Sequence, residues 1–266
     1  MRLCSIASGS SGNCIYVGSE QTHVLIDAGI SCKRIEEGLK KAEITGTDLS
    51  AIFITHEHSD HIQGIGVLAR KYHVPMYATQ GTIDEIISSG KNLGEYDKRL
   101  FHPICVDEDV LVGDLTVHPF RISHDAKEPC AYRFEQGGKK LAIATDMGCF
   151  NPYTVENLKG LDAILLEANH DIRTLQAGPY TYALKQRILS DKGHLSNDNS
   201  GQLLNKILHD NLKYILLGHL SKENNMPELA FETVKLEINA ADTPYKAEMF
   251  QICVASRSEV GEVLSL

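Results

Sequence analysis

Between residues 56 and 61 the chain reads HEHSDH, three histidines and two carboxylates in six positions, directly after the apolar run AIFIT. Imidazole and carboxylate are the ligands that zinc, manganese and iron accept. On an extended backbone the rings of His56 and His58 can converge on one ion, while Asp60 and His61, one turn into a following helix, can face a second. Two cations held close together need negative charge between them, which a carboxylate such as Asp146 or a hydroxide supplies. A solvated loop would carry the same residues harmlessly, so the rest of the chain has to decide.

Similar groups recur where apolar, β-branched-rich runs stop. HVLIDAG carries Asp27, LTVHPFRIS leads into His124, LAIAT into Asp146, DAILLEAN into His170 and YILLG into His219. Any one of these alone reads as a cap or a turn residue. Acids and imidazoles at the ends of several core strands are what a shared site requires, because rigid strands deliver side chains to one rim.

The elements that must do the positioning follow from pattern. RLCSIAS, CIYVG and HVLIDAG read as strands, the first two separated by the loop GSSGN, and SCKRIEEGLKKA reads as a helix capped by Ser31. AIFIT is a short buried strand, HIQGIGVLARKYH a helix running toward Pro75, VPMYAT a strand and TIDEIISSG a helix ending at Gly90. Gly113-Asp114 and Gly137-Gly138 mark hairpins. Beyond residue 150 the rhythm returns to strand and helix: DAILLEA, YTYALKQRILS, NSGQLLNKILHD, KYILLG, PELAFETVKLEIN and FQICVA. With no internal repeat or linker, residues 1–266 are expected to form one domain, an α/β layered fold of mixed and antiparallel sheets sandwiched by helices.

Size and composition set the outer limits. The 266 residues, 42% hydrophobic and 23% charged, suffice for a well-buried core. A net charge of −9 argues against a broad basic nucleic-acid surface but leaves room for a local basic groove. Seven scattered cysteines with no Cys-x-x-Cys suit reduced thiols in a cytosolic protein better than a disulfide frame or a cysteine zinc site. Residues 1–17 hold no continuous apolar segment, so no signal peptide is expected, and no run approaches the roughly 20 apolar residues of a membrane helix. The expected location is cytoplasmic, with no membrane partner.

His56, His58, Asp60 and His61, with Asp27 upstream and His124, Asp146 and His219 downstream in that order, resemble the metallo-β-lactamase superfamily over essentially the whole chain. Within it, SIASGSSGNCIYV, LLEANHD, RILSDKGHLSN and LLGHLSKENN closely resemble the YycJ (WalJ) family. The resemblance implies a metallo-β-lactamase-like αββα four-layer sandwich binding two divalent metal ions, manganese or zinc, with iron also possible. By position, His56, His58 and His124 would bind the first metal and Asp60, His61 and His219 the second. Asp146 would bridge them, and Asp27 would orient the histidine loop from behind. The span from Asp146 to His219 is too short for the extra domain of β-CASP nucleases.

GHLS occurs twice, at 193–196 and 218–221. The second copy supplies His219; the first precedes a helix starting near Asn197, and a helix N-terminus with a histidine and a hydroxyl is a reasonable anion site. His194 and Ser196 are therefore expected to hold a substrate phosphate, with His194 also protonating a leaving oxygen; Asp60, Asp146 and His194 make up the catalytic set. Lys192, with Lys185, Arg187 and Arg173, would add a local basic patch. His170 would line the site, and Ser10 and Ser11 in the glycine–serine loop would form a phosphate nest. Capping and tight-turn roles compete for Ser196 and for that loop. His23, His73, His102, His118 and His209 have no supporting context and read as ordinary surface or core histidines.

The resemblance implies a dinuclear metal-dependent phosphodiester hydrolase, a 5′→3′ exonuclease on duplex or nicked DNA that recognises a 5′-phosphate and serves DNA repair. The alternative is a small-molecule metallo-hydrolase, a cyclic phosphodiesterase, lactonase or thioesterase, since a fold does not choose among these.

Overall fold

Apolar runs bounded by turn residues become strands, and amphipathic runs become helices laid on them, in a computed structural model that describes residues 1–89 and 93–266. Contacts gather the chain into two compact units. One comprises Met1–Arg121, Ala126–Lys139 and Ser256–Leu266, the other Ile122–Asp125 and Lys140–Ala255.

In the first unit, β1 (Arg2–Ala7), β2 (Cys14–Gly18) and β3 (His23–Ile26) form an antiparallel meander. Helix α1 (Cys32–Lys41) follows, with the Ser31 hydroxyl accepting from the Arg34 amide as a cap. Strand β4 (Ala51–Phe53) pairs parallel to β3. The helix expected over residues 61–73 is two helices, α2 (Ser59–Ile62) and α3 (Ile65–Tyr72). The chain breaks at Gly64, where a Cβ would stand 2.3 Å from the Ile30 carbonyl oxygen, an approach only glycine permits. Strand β5 (Met76–Thr79), helix α4 (Gln80–Ser88) and strand β6 (Phe101–Ile104) extend the parallel part of the sheet. The end expected for that helix, Gly90, lies outside the described residues. Ile35, Leu39, Leu68, Ile83 and Ile86 turn the helices' apolar faces into the core over Ile6, Leu25, Ile52 and Met76. Strands β7 (Val110–Val112), β8 (Leu115–Arg121) and β9 (Cys130–Gln136) pair antiparallel, β7 and β8 through the expected Gly113-Asp114 turn.

The second unit is built on parallel strands: β10 (Lys139–Ala144), β11 (Ala163–Glu167), β12 (Tyr214–Gly218) and β13 (Gln251–Val254). Gly137 and Gly138, both left-handed, make the turn into β10. Between these strands run α5 (Pro152–Asn157), α6 (Ile172–Ala177), α7 (Tyr182–Leu189), α8 (Asn197–Ile207) and α9 (Pro227–Ala240). Helix α6 is not signalled in the sequence, being a short segment that Asp171 caps through the Thr174 amide. Among the described residues every cysteine is a free thiol, and no helix is long and apolar enough to cross a membrane.

Candidate functional site

Asp27, His56, Asp146, His170 and His219 follow the carboxyl ends of strands with parallel partners, the edge at which α/β sheets bind ligands, while His124 follows the antiparallel strand β8. In the first unit Asp27 follows β3. Its amide donates to the Phe53 carbonyl at 2.8 Å, and its φ of 59° is left-handed, unusual for a residue with a Cβ. Asp146 (φ 59°) and His219 (φ 56°) take the same conformation beyond β10 and β12. Three expected site residues thus share a sparsely populated backbone state, which turns the chain sharply as it leaves the sheet.

Asp27 organises the histidine loop. One carboxylate oxygen accepts from the Thr55 amide at 2.8 Å; the other takes the Thr55 hydroxyl at 2.9 Å and His61 Nδ1 at 2.7 Å. A carboxylate only accepts, so Nδ1 of His61 carries the proton and, in the neutral ring, Nε2 carries the lone pair. This carboxylate–imidazole relay is the arrangement found behind metal-binding histidines. The His56 ring lies 4.1 Å from that of His61 and 4.6 Å from that of His58. His58 is the N-cap of α2, which places Asp60 and His61 in its first turn. Glu57, the other acid of the motif, accepts from the Lys127 amide at 2.8 Å and anchors the loop.

The glycine–serine loop also serves this region. Asn13 donates its backbone amide to the Asp60 carbonyl at 2.8 Å and brings its side-chain amide to 3.0 Å from His61 Nε2, while its Oδ1 receives the Gly9 amide. A Cβ on Gly29 would come within 1.5 Å of the Asp60 carbonyl oxygen, so glycine is required for the close approach. Ser10 and Ser11 are exposed at the tip.

The second unit gathers His124, Asp146, His194 and His219 around a residue that sequence pattern alone does not single out, Glu167. The pairing register sets this up. Ala144 is level with Leu166, and Leu166 with Leu217, so Asp146 and His219 leave the sheet at the same height on either side of Glu167, the last residue of β11. Glu167 is fully buried. Its Oε1 accepts from His194 Nδ1 at 2.8 Å and His219 Nδ1 at 3.1 Å, and its Oε2 from the amides of Met147 at 2.8 Å and Leu195 at 3.1 Å. Burial alone would raise its pKa; the adjacent His194 and the hydrogen bonds from His194 and His219 outweigh burial and hold it at about 2. Donor atoms of Asp146, Glu167, His194 and His219 all lie within 4.8 Å of one another. His124 directs Nδ1 to the Gly193 carbonyl at 3.0 Å and Nε2 to within 3.7 Å of Asp146. The imidazole and carboxylate donors of both units suit a divalent cation of the zinc, manganese or iron type. A signal for Glu167 exists in the sequence, as the carboxylate closing the apolar run AILLE three residues before His170.

The two GHLS copies flank the segment leaving β11. The Asn169 amide donates to the Leu195 carbonyl at 2.9 Å, the Ser221 amide donates to the Asn169 carbonyl at 2.8 Å, and Asn169 Nδ2 donates to the His219 carbonyl. Ser196 is buried, and its hydroxyl caps α8 by accepting from the Asn199 amide at 3.1 Å. His170 is 1% exposed beside it, and burial pulls its pKa down to about 4 against the opposing effect of Glu167. Lys192 is exposed. Arg187 forms an ion pair with Asp125, and Lys185 donates to the Gln176 carbonyl, so two of the four expected basic-patch residues are engaged within the protein. His23 and His209 are held locally, by the Tyr16 hydroxyl and the Leu161 carbonyl, as ordinary histidines would be.

Residues 22–215 match the family model described as a beta-lactamase superfamily domain. The chain belongs to the metallo-β-lactamase superfamily. Within it the chain is 43% identical over 225 residues to the exodeoxyribonuclease YycJ of Bacillus anthracis, covering 85% of this chain and 84% of that one. It is also 43% identical over 237 residues to the exodeoxyribonuclease WalJ of Streptococcus pneumoniae, covering 89% and 88%. This makes it a member of the YycJ/WalJ family and a metal-dependent hydrolase. The metallo-β-lactamase fold protein YhfI from Bacillus subtilis superposes with a TM-score of 0.72 at 15% identity, covering 97% of each chain, which bears out the αββα fold class.

Proposed function

We propose that this superfamily member is a 5′→3′ exonuclease that removes nucleotides from phosphorylated 5′ ends of duplex or nicked DNA, acting in cytoplasmic DNA repair. The observation that supports this reading best is the 43% identity, over most of both chains, to proteins named exodeoxyribonucleases. Residues 1–266 work as one catalytic domain without a β-CASP insertion. His56, His58 and His124 would hold one divalent cation and Asp60, His61 and His219 a second, with Asp146 contributing to both; manganese or zinc would suit these donors. When bound, the cations acidify a water molecule and neutralise charge on the phosphoryl oxygens.

The chain's own residues do the rest. Asp27 fixes the tautomer of His61, and Glu167 fixes those of His194 and His219. With Nδ1 of His194 turned to Glu167, Nε2 is left to protonate the departing 3′-oxygen, and the Glu167 charge stabilises the protonated ring. Asp60 and Asp146 orient the attacking water. His194 holds the scissile phosphate, with Lys192 adding positive charge. Ser10, Ser11 and Ser196 meet the terminal phosphate, and His170 lines the site.

The test is to supply the purified protein with manganese and end-labelled duplex DNA, with and without a 5′-phosphate, alongside lactone and thioester substrates. Stepwise shortening from the phosphorylated 5′ end is the expected outcome. Intact DNA beside a hydrolysed ester would replace the nuclease with a small-molecule hydrolase.

A further inference from the structure

The second unit carries a surface cavity of about 580 Å³ that no step above uses. Phe150, Pro152 and Val155 give it an apolar wall, and Glu156, Lys159 and Lys206 give it charge. Its volume falls within the range of small-ligand sites, roughly 300–1,000 Å³. Lys159 is matched by Glu156 at 2.9 Å, which leaves the ammonium of Lys206, exposed near the end of α8, as the net charge of the lining. In a chain of net charge −9, an aromatic ring and an uncompensated cation facing one cavity form a local exception suited to an anion with a flat apolar part.

The cavity is tethered to the reaction centre by a short, fixed stretch of chain. Phe150 is the fourth residue after Asp146. Four residues span at most about 14 Å. The tether is also stiff. The Gly148 amide donates to the Ser123 carbonyl at 2.8 Å, and a Cβ on Gly148 would stand 2.3 Å from Asp191 backbone atoms. Asn151 then caps α5 by accepting from the Thr154 amide at 3.0 Å, with Pro152 in the first turn. Phe150 is thus held at a set distance from Asp146. At about 3.4 Å per stacked nucleotide, that distance corresponds to no more than about four nucleotides.

We propose that this cavity is a nucleotide subsite for the DNA strand, with a base against the Phe150 ring and its phosphate at Lys206, up to about four nucleotides from the bond that is cut. The proposal rests on the nuclease reading and adds a determinant of substrate length to it. Stacking on an aromatic side chain tolerates any base, as an exonuclease that must advance along mixed sequence requires.

The test uses manganese-loaded full-length protein and 5′-phosphorylated, phosphorothioate-linked oligonucleotides of two and eight nucleotides, with binding read by fluorescence anisotropy. The wild type should bind the longer oligonucleotide at least about tenfold more tightly, and Phe150→Ala should remove most of that ratio. Lys206→Ala should reduce the slope of log affinity against log salt by about 0.7 for a single strand. Lys206 is exposed, so this second variant keeps the test open if Phe150→Ala fails to fold. A wild-type length ratio and salt slope in both folded variants, with DNA still degraded, would overturn the subsite alone. Wild-type protein that binds neither oligonucleotide and leaves duplex DNA intact would overturn the nuclease reading and the subsite with it.

Discussion

The two units solve the same problem, holding imidazoles still beside charge, with different economy. In the first unit Asp27 serves one histidine, His61, and shares the task with Thr55, whose amide and hydroxyl both donate to it. In the second, Glu167 serves two histidines and two backbone amides, with Asp146 Oδ2 3.2 Å from the same His219 nitrogen. A carboxylate at the end of a central parallel strand can do this because strands on both sides end at the same level. The difference teaches that control of the second cluster is concentrated in one buried residue, whereas control of the first is spread over several.

The largest effect should come from Asp146→Ala. Hydrolysis of every phosphodiester substrate is expected to fall about 1,000-fold with the fold retained, checked by single-turnover rates and a melting curve. Unchanged turnover would remove the metal mechanism.

The comparison is tested most directly by matched isosteres. Glu167→Gln should lower kcat/KM and metal affinity about 100-fold, and Asp27→Asn only about 10-fold, because Thr55 remains to hold the loop. Equal losses in a metal-competition titration would break the contrast.

Each cluster also depends on a glycine at a close backbone approach, Gly29 against Asp60 and Gly148 against Asp191. Alanine at either position should destabilise the protein by about 2–3 kcal/mol in denaturant unfolding, since neither contact involves a side chain able to move aside.

His170 should make the stability of the second unit depend on pH. Its folded-state pKa of about 4 lies below the ordinary value of 6.5, so the unfolded chain takes up the proton first as pH falls. Its contribution is fully present above pH 6.5 and is lost progressively down to about pH 4, with a slope of at most about 1.4 kcal/mol per pH unit. Unfolding measured across that range should flatten in His170→Gln; an unaltered profile would assign the acid sensitivity elsewhere.

The smallest change expected is in Thr55→Val, about 1 kcal/mol, because the Thr55 amide still donates to Asp27 when the hydroxyl is gone. A loss as large as that in Asp27→Asn would show that the hydroxyl, not the carboxylate, governs the histidine loop.

Much of the candidate site can be read without coordinates. His56, His58, Asp60 and His61 are adjacent in the chain, and Asp27, Asp146 and His219 each close an apolar run, so local chemistry and strand periodicity reveal them together. The same periodicity places the strands and most helices, including the Ser31 and Ser196 caps, because amphipathic spacing and capping residues act over a few positions. What the sequence leaves open depends on contacts between distant segments. Glu167 looks like any acid at a strand end until register sets it between Asp146 and His219. The need for glycine at residue 64 comes from the Ile30 carbonyl, and Asn13 steadies Asp60 across 47 positions of chain. Residue types and their spacing determined that this protein carries metal-ligand chemistry on an α/β scaffold. Only the tertiary structure decided which carboxylates hold which imidazoles, because hydrogen-bond partners are fixed by strand register and backbone approach rather than by proximity in sequence.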